Sequence, residues 1–141
     1  MPYRLAVTSN EVSGHIAGAY RKRFGLKIPE WRVMNILGDA GALTQRDLVE
    51  LTVMDKVAVN RACKVLEERG LIARSPNAAD GRSHHLDLTD AGKAMFNEIW
   101  PHSTAISSRI FACLSEAETE KLRKILGKLL DSVRKLESEK T

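Results

Sequence analysis

A chain of 141 residues, 43% apolar and only 5% aromatic, has room for one aliphatic, helix-rich domain or a small domain with added helices. No apolar run approaches the roughly 20 residues that cross a bilayer, and MPYRLAVTSNEVSG lacks the regions of a secretory signal, so a cytoplasmic protein without a membrane partner is expected. The net charge of +4 permits a nucleic-acid partner without requiring one.

From about Leu5 to Phe24, Val12, Ile16, Ala19 and Tyr20 form a helical stripe that closes on Arg21-Lys22-Arg23 and Gly25. Gly14 and Gly18 lie four apart, which suits close approach of another helix and offsets the roughly 1 kcal/mol each glycine costs there. Pro29 and Glu30 suit the first turn of a second helix, which runs through Trp31, Met34 and Leu37 and stops in GDAGA. Thr44 with Asp47 three residues later predicts the cap of a short helix, with its apolar side at Leu48 and Leu51.

After a short TVM turn comes MDKVAVNRACKVLEERGL, a helix with Thr52 or Asp55 as its cap and Gly70 as its stop. It has two composed faces. Val59, Ala62, Cys63 and Leu66 follow the i, i+3, i+4, i+7 rule and should meet the core. Val57, Asn60, Arg61 and Lys64 keep the same spacing on another side.

LIARS and SHHLDL predict two short strands around a polar loop, SPNAADGR, with Asp80-Gly81 as the turn. Thr89 then caps a long helix to about Leu114, with Pro101 inside it to kink it. Ser115 and Glu118 make a capping box for a last helix whose stripe runs without interruption from Leu122 to Leu136. That stripe needs a covering surface, and the middle of the chain is too small to supply it. Helices from both ends are therefore expected to interlock with a second copy, as a homodimer.

The expected fold is mostly α with a small two- or three-stranded antiparallel wing: a winged helix-turn-helix plus dimerisation helices from both termini. Residues 1–28 form the N-terminal dimerisation helix, 29–88 the DNA-binding lobe and 89–141 the C-terminal dimerisation helices. In this motif the second helix of the pair enters the major groove. Asn60 suits adenine, Arg61 suits guanine, and a Val57 methyl suits the thymine methyl. Lys56 and Lys64 suit phosphates, Arg82 suits a narrow minor groove, and Asp80 sits where it can hold Arg82 or the loop. Charge does not mark this surface by itself, because seven basic and seven acidic residues cancel between Thr44 and Leu88.

Other classes find little support. No Ser-His-Asp pattern, P-loop or dinucleotide fingerprint is present, and no catalytic residue, cofactor or metal is expected. His84 and His85 are adjacent on a strand and point to opposite faces, so they cannot share one metal. The two cysteines, Cys63 and Cys113, form no CxxC pair and read as buried free thiols. A regulator sensing oxidant through either of them is the alternative.

The run LTQRDLVELTVMDKVAVNRACKVLEERGLIARSPNAADGRSHHLDLTDAG resembles the multiple-antibiotic-resistance regulator (MarR) family of transcription factors. Leu43-Thr44-Gln45 matches the family's helix start, Asp55-Lys56 its opening of the recognition helix, and Val59-x-Arg61 the run that follows. Leu66-Glu67, Gly70-Leu71, Asp80-x-Arg82 and Leu88-Thr89-x-x-Gly92 complete the pattern. Val57 and Ala58 replace a frequent Ser-Thr, and Asn60 replaces a frequent Ser, so the operator sequence cannot be carried over. The resemblance implies a homodimer on a roughly palindromic double-stranded operator, with Thr44, Gln45 and Ala58 added to the contact set. It also implies a repressor released by a small phenolic or aromatic-acid effector, with His15, Trp31 and Met34 as the matching pocket residues.

Overall fold

A computed structural model describes residues 1–77 and 80–140, with side chains described outside 77–82. The order is α1 (Pro2–Ile16), a 3-10 turn (Ala17–Ala19), α2 (Arg21–Phe24), α3 (Ile28–Ala40), β1 (Leu43–Thr44), α4 (Gln45–Thr52) and α5 (Lys56–Glu68). Then follow β2 (Ile72–Asn77), β3 (Asp80–Leu88), α6 (Asp90–Phe111) and α7 (Glu116–Glu139). Two compact units result, Met1–Ile106 and Ser107–Thr141.

The single helix expected over Leu5–Phe24 is broken. Gly18 falls in the 3-10 turn, and Tyr20 leaves helical geometry at φ −138°. That departure carries the Tyr20 ring into the core, where it stacks on Trp31 at 5.4 Å, and Trp31 in turn stacks on Phe96 at 5.9 Å. Burial raises the Tyr20 pKa above its ordinary value, and the nearby Arg21 and Arg32 charges pull it partly back. Gly25 ends α2 in the left-handed region at φ 65°. Arg69, just past α5, donates to the Phe24 and Gly25 carbonyls at 2.7 and 3.2 Å, satisfying acceptors that the helix end leaves open. Gly14 and Gly18 meet nothing within 4 Å of a notional Cβ, so the close helix approach expected there is not made within this chain.

The lobe's core is aliphatic. Val33, Met34, Leu37, Leu48, Val59 and Leu66 lie at most 1% exposed. Thr44 caps α4 in a reciprocal box with Asp47, both bonds 3.1 Å. Leu51, expected on the apolar side of α4, is 52% exposed. Thr52 takes the inward place instead, with its hydroxyl donating to the Leu48 carbonyl. Between the two expected caps of α5 the structure selects Asp55, whose Oδ1 accepts from the Ala58 amide at 2.7 Å.

Three antiparallel strands form the wing in the order β1-β3-β2. Leu43 faces Leu86, and Arg74 also faces Leu86 from the other side. The strands run further than expected. Pro76 and Asn77 also belong to β2, where an edge position tolerates proline, and Asp80-Gly81 lies in β3 rather than at a turn. Ala78 and Ala79 lie outside the described residues.

The start of α6 is fixed by contact. The Thr89 hydroxyl donates to the Gly70 carbonyl and accepts from the Gly92 amide. A Cβ at Gly92 would sit 2.0 Å from the Leu71 carbonyl oxygen, so only glycine fits. The helix then continues through Pro101.

In the second unit, Ser115 and Glu118 form the expected capping box of α7. The Ser115 backbone N–H, and secondarily its side chain, hold the Glu118 carboxyl below its usual range. No α7 residue is buried in the single chain. Among the described residues no helix is long and apolar enough to cross a membrane.

Candidate nucleic-acid interface

Helices α4 and α5 are joined by Val53, Met54 and Asp55, a turn short enough to set them as a helix-turn-helix pair. The two faces of α5 separate as the periodicity requires. Val59, Ala62, Cys63 and Leu66 are at most 3% exposed, while Val57, Asn60, Arg61 and Lys64 face outward. Ala58, on the first turn, is half-buried against its cap.

The cancelling charges are sorted by their partners. Arg69 is engaged on carbonyls, and Arg74 pairs with Glu67 at 2.6 Å. Asp47 and Asp55 cap helices, and Asp87 accepts from the adjacent Leu88 amide. Among the described residues no ion pair holds Arg46, Lys56, Arg61 or Lys64. All four are exposed on α4 and α5. Glu50 and Glu68 are exposed and unpaired as well, so among the described residues four unpaired cations stand against two unpaired carboxylates, although the segment sums to zero.

A hydrogen-bonded row crosses this surface. Arg74 on β2 donates Nη2–H to Gln45 Oε1 at 3.2 Å, and Gln45 donates Nε2–H to Asn60 Oδ1 at 3.2 Å. Gln45 and Asn60 are thus brought together. Thr44 is used by the cap of α4. The side chains of Asp80 and Arg82 lie outside those described.

Sequence reasoning did not place Arg46 or Arg74 at the site. Arg46 shares with Lys56 the wall of an open cleft of about 550 Å³ beside Gln45. Its signal was its place next to Gln45 in the first turn of α4. Arg74 gave none, because its role depends on the register that sets β2 beside Gln45.

The MarR family description matches residues 24–83. Over that stretch, 60 of the 141 residues, the chain is similar to the MarR family. Its relative MgrA of Staphylococcus aureus, an HTH-type transcriptional regulator, is 25% identical over 128 residues, which are 91% of this chain and 86% of MgrA. A MarR/EmrR family regulator from Acinetobacter sp. ADP1 superposes with a TM-score of 0.87 at 25% identity, over 95% of this chain and 94% of its own. Bordetella bronchiseptica BpsR, whose DNA binding is regulated by 6-hydroxynicotinic acid, gives 0.81 at 26% identity over 93% of each chain. The protein is accordingly a winged-helix, DNA-binding transcriptional regulator similar to the members of this family.

The effector residues inferred from the MarR resemblance occupy unlike places. Trp31 is buried in its ring stack, Met34 is fully buried, and His15 is exposed on α1. Beside the stack lies an open cleft of about 340 Å³, with Gly38, Asp87, Lys93, Phe96 and Asn97 among its walls.

The cysteines differ more than expected. Cys63 is fully buried, and burial pushes its thiol up to about 11, with Arg74 drawing it partly back. It is a neutral thiol at physiological pH, a poor target for oxidants that attack thiolates. Cys113 was expected buried and is exposed in the single chain, at the α6–α7 junction, where its Sγ approaches the Ile110 carbonyl at 3.5 Å.

Proposed function

We propose that two copies of this chain bind a palindromic operator and repress the genes beside it, releasing it when a small aromatic or carboxylate ligand binds. The observation that carries this reading is the division of α5. One face is sealed in the core, and the other presents Val57, Asn60, Arg61 and Lys64, with two cations that no internal partner neutralises. Placed in a major groove, Arg61 reads guanine and Lys64 holds phosphate. Thr44, Gln45, Arg46 and Lys56 sit on the flanking backbone side, with Ala58 close to the bases, and Asp80 and Arg82 belong to the wing contact.

Dimerisation is supported by α7, whose Leu122, Ile125, Leu126, Leu129, Leu130 and Leu136 are 37–57% exposed in the single chain. A self-complementary stripe of that length suits a two-fold interface. Two copies then present two α5 helices to half-sites about 34–36 Å apart.

The effector acts only through unequal affinity for the DNA-competent and splayed arrangements. The DNA binding of BpsR is regulated by a hydroxylated aromatic acid, and a ligand of that class suits the cleft bounded by Phe96 and Lys93, where Trp31 stacks on Phe96; Met34 and His15 join the proposed pocket on the family resemblance alone.

The test is operator selection from random DNA followed by titration in varied salt. Arg61→Ala should weaken the selected site by about 1–3 kcal/mol and relax one base position. Lys64→Ala should weaken all duplexes alike and lower the salt slope by roughly one. If neither variant changes binding, α5 is not the reading element. If none of a panel of aromatic acids alters binding, the effector half of the reading is lost.

A further inference from the structure

We propose that Arg74 and Gln45 are positioning residues that fix the polarity of Asn60, so that Asn60 reads a base as a hydrogen-bond donor. The inference rests on the groove placement of α5 given above and adds what that helix selects.

An amide side chain is ambiguous by itself, because its oxygen and nitrogen ends have nearly the same shape. Guanidinium is not. It carries only donors, so the Gln45 atom that meets Arg74 must be the carbonyl oxygen. The Nε2 amino group is then the end that faces Asn60, and Asn60 must receive it with Oδ1. The chain of bonds leaves the Asn60 Nδ2 amino group as the free end. Arg74 is itself held by Glu67 at 2.6 Å, and a charge-assisted bond of that kind fixes direction better than a neutral one. The polarity of one base-reading side chain is therefore set from the wing strand, through α4.

The consequence is a choice of base. A free Asn bonds adenine with both ends, accepting from N6 and donating to N7. Gln45 occupies one of the two Oδ1 lone pairs and turns that oxygen toward α4, which disfavours the coplanar pairing with adenine. The outward amino group fits an edge made of acceptors, guanine O6 and N7 first and thymine O4 second, and it opposes the amino group of cytosine.

The experiment is operator selection with the full-length protein and three variants. Asn60→Ala identifies the operator position that Asn60 faces, as the one whose preference it relaxes. At that position the wild type should take guanine or thymine in both half-sites. Arg74→Met frees Gln45 to turn over and should raise adenine against guanine there by about tenfold, the size of one good base contact. Gln45→Glu should invert the choice: a carboxylate has only acceptors, so Asn60 must turn its amino group inward and offer Oδ1 to adenine N6 or cytosine N4. Circular dichroism and urea unfolding confirm that each variant is folded, and Gln45→Glu retains a partner for Arg74 should Arg74→Met unfold. If the variants change affinity but leave the base profile as in the wild type, Arg74 and Gln45 are structural only and the proposal fails. If the wild type selects adenine or cytosine at that position, it also fails, while the groove reading stands. Recovery of no operator by the wild type would overturn both.

Discussion

Helices α5 and α7 are both amphipathic, yet the chain treats them differently. Each residue on the inner face of α5 is filled from its own chain, down to full burial at Val59, Cys63 and Leu66. The stripe of α7 is longer, and every member stays at least 37% exposed. Its residues do not differ in kind. The difference is where the matching surface comes from: within the fold for α5, and by the present proposal from a second copy for α7. Periodicity therefore says that a face must be covered, and says nothing about which chain covers it.

The largest test of that contrast breaks each face in turn. Leu66→Ala should cost about 2–5 kcal/mol of unfolding free energy, independent of protein concentration, because it opens a cavity inside one chain. Leu126→Glu combined with Leu129→Glu should leave the first unit folded and halve the solution mass. Operator affinity should then drop by about a hundredfold or more, as one reading helix loses its tethered twin. Sedimentation and anisotropy titration measure both. A dimer that survives the paired glutamates would move the interface away from α7.

How much of this was legible in the sequence follows the same line. Local chemistry was readable where one or two neighbouring residues decide it: the Thr44–Asp47 and Ser115–Glu118 boxes, the Thr89 cap and the inner face of α5 all follow from spacing. Choices between adjacent candidates were not. Leu51 loses its inward place to Thr52 because the hydroxyl can bond back to the Leu48 carbonyl. The first helix breaks where Tyr20 gains more from the Trp31 stack than from continuing the turn. The site's cations were visible as letters, but which of them are neutralised depends on long-range partners: Arg69 on Phe24 and Arg74 on Glu67 and Gln45. No spacing rule carries that information.

A second, intermediate effect separates the two helices by pH. The Cys63 thiol in α5 is raised from its usual 9.0 to about 11 by burial. A group raised in the folded state contributes stability that is present below the unfolded value and lost as pH climbs through the folded one. Stability should thus fall between about pH 9 and 11, by about 2–3 kcal/mol at most from this group. Cys63→Ala should flatten that limb relative to the wild type, as urea midpoints at pH 7.5 and 10.5 would record. In α7 the sign is opposite. The Glu118 carboxyl is lowered by its bonds from Ser115, so its contribution is present at neutral pH and lost on the acid side. An alkaline limb unchanged by Cys63→Ala would mean that the thiol is less enclosed than the structure has it.

The smallest effect lies at the entrances to the two helices. Ser115 enters α7 in ordinary extended geometry at φ −71°. The turn into α5 instead puts Val53 in the left-handed region at φ 54°, whereas the other positive-φ residues described are Gly25, Gly41 and Gly70. A β-branched side chain is poorly suited there, at a cost of roughly 1–2 kcal/mol. Val53 is 66% exposed, so little burial offsets that cost. Val53→Asn should therefore stabilise the protein by about 0.5–1 kcal/mol, and Val53→Gly by less, because glycine also loosens the unfolded chain. The measurement is a shift of the urea midpoint at constant slope. A loss of stability with Asn would show that the valine methyls are covered by something absent from the single chain. A loss of operator affinity with stability intact would place that covering on the DNA, extending the reading surface from α5 into the turn that precedes it.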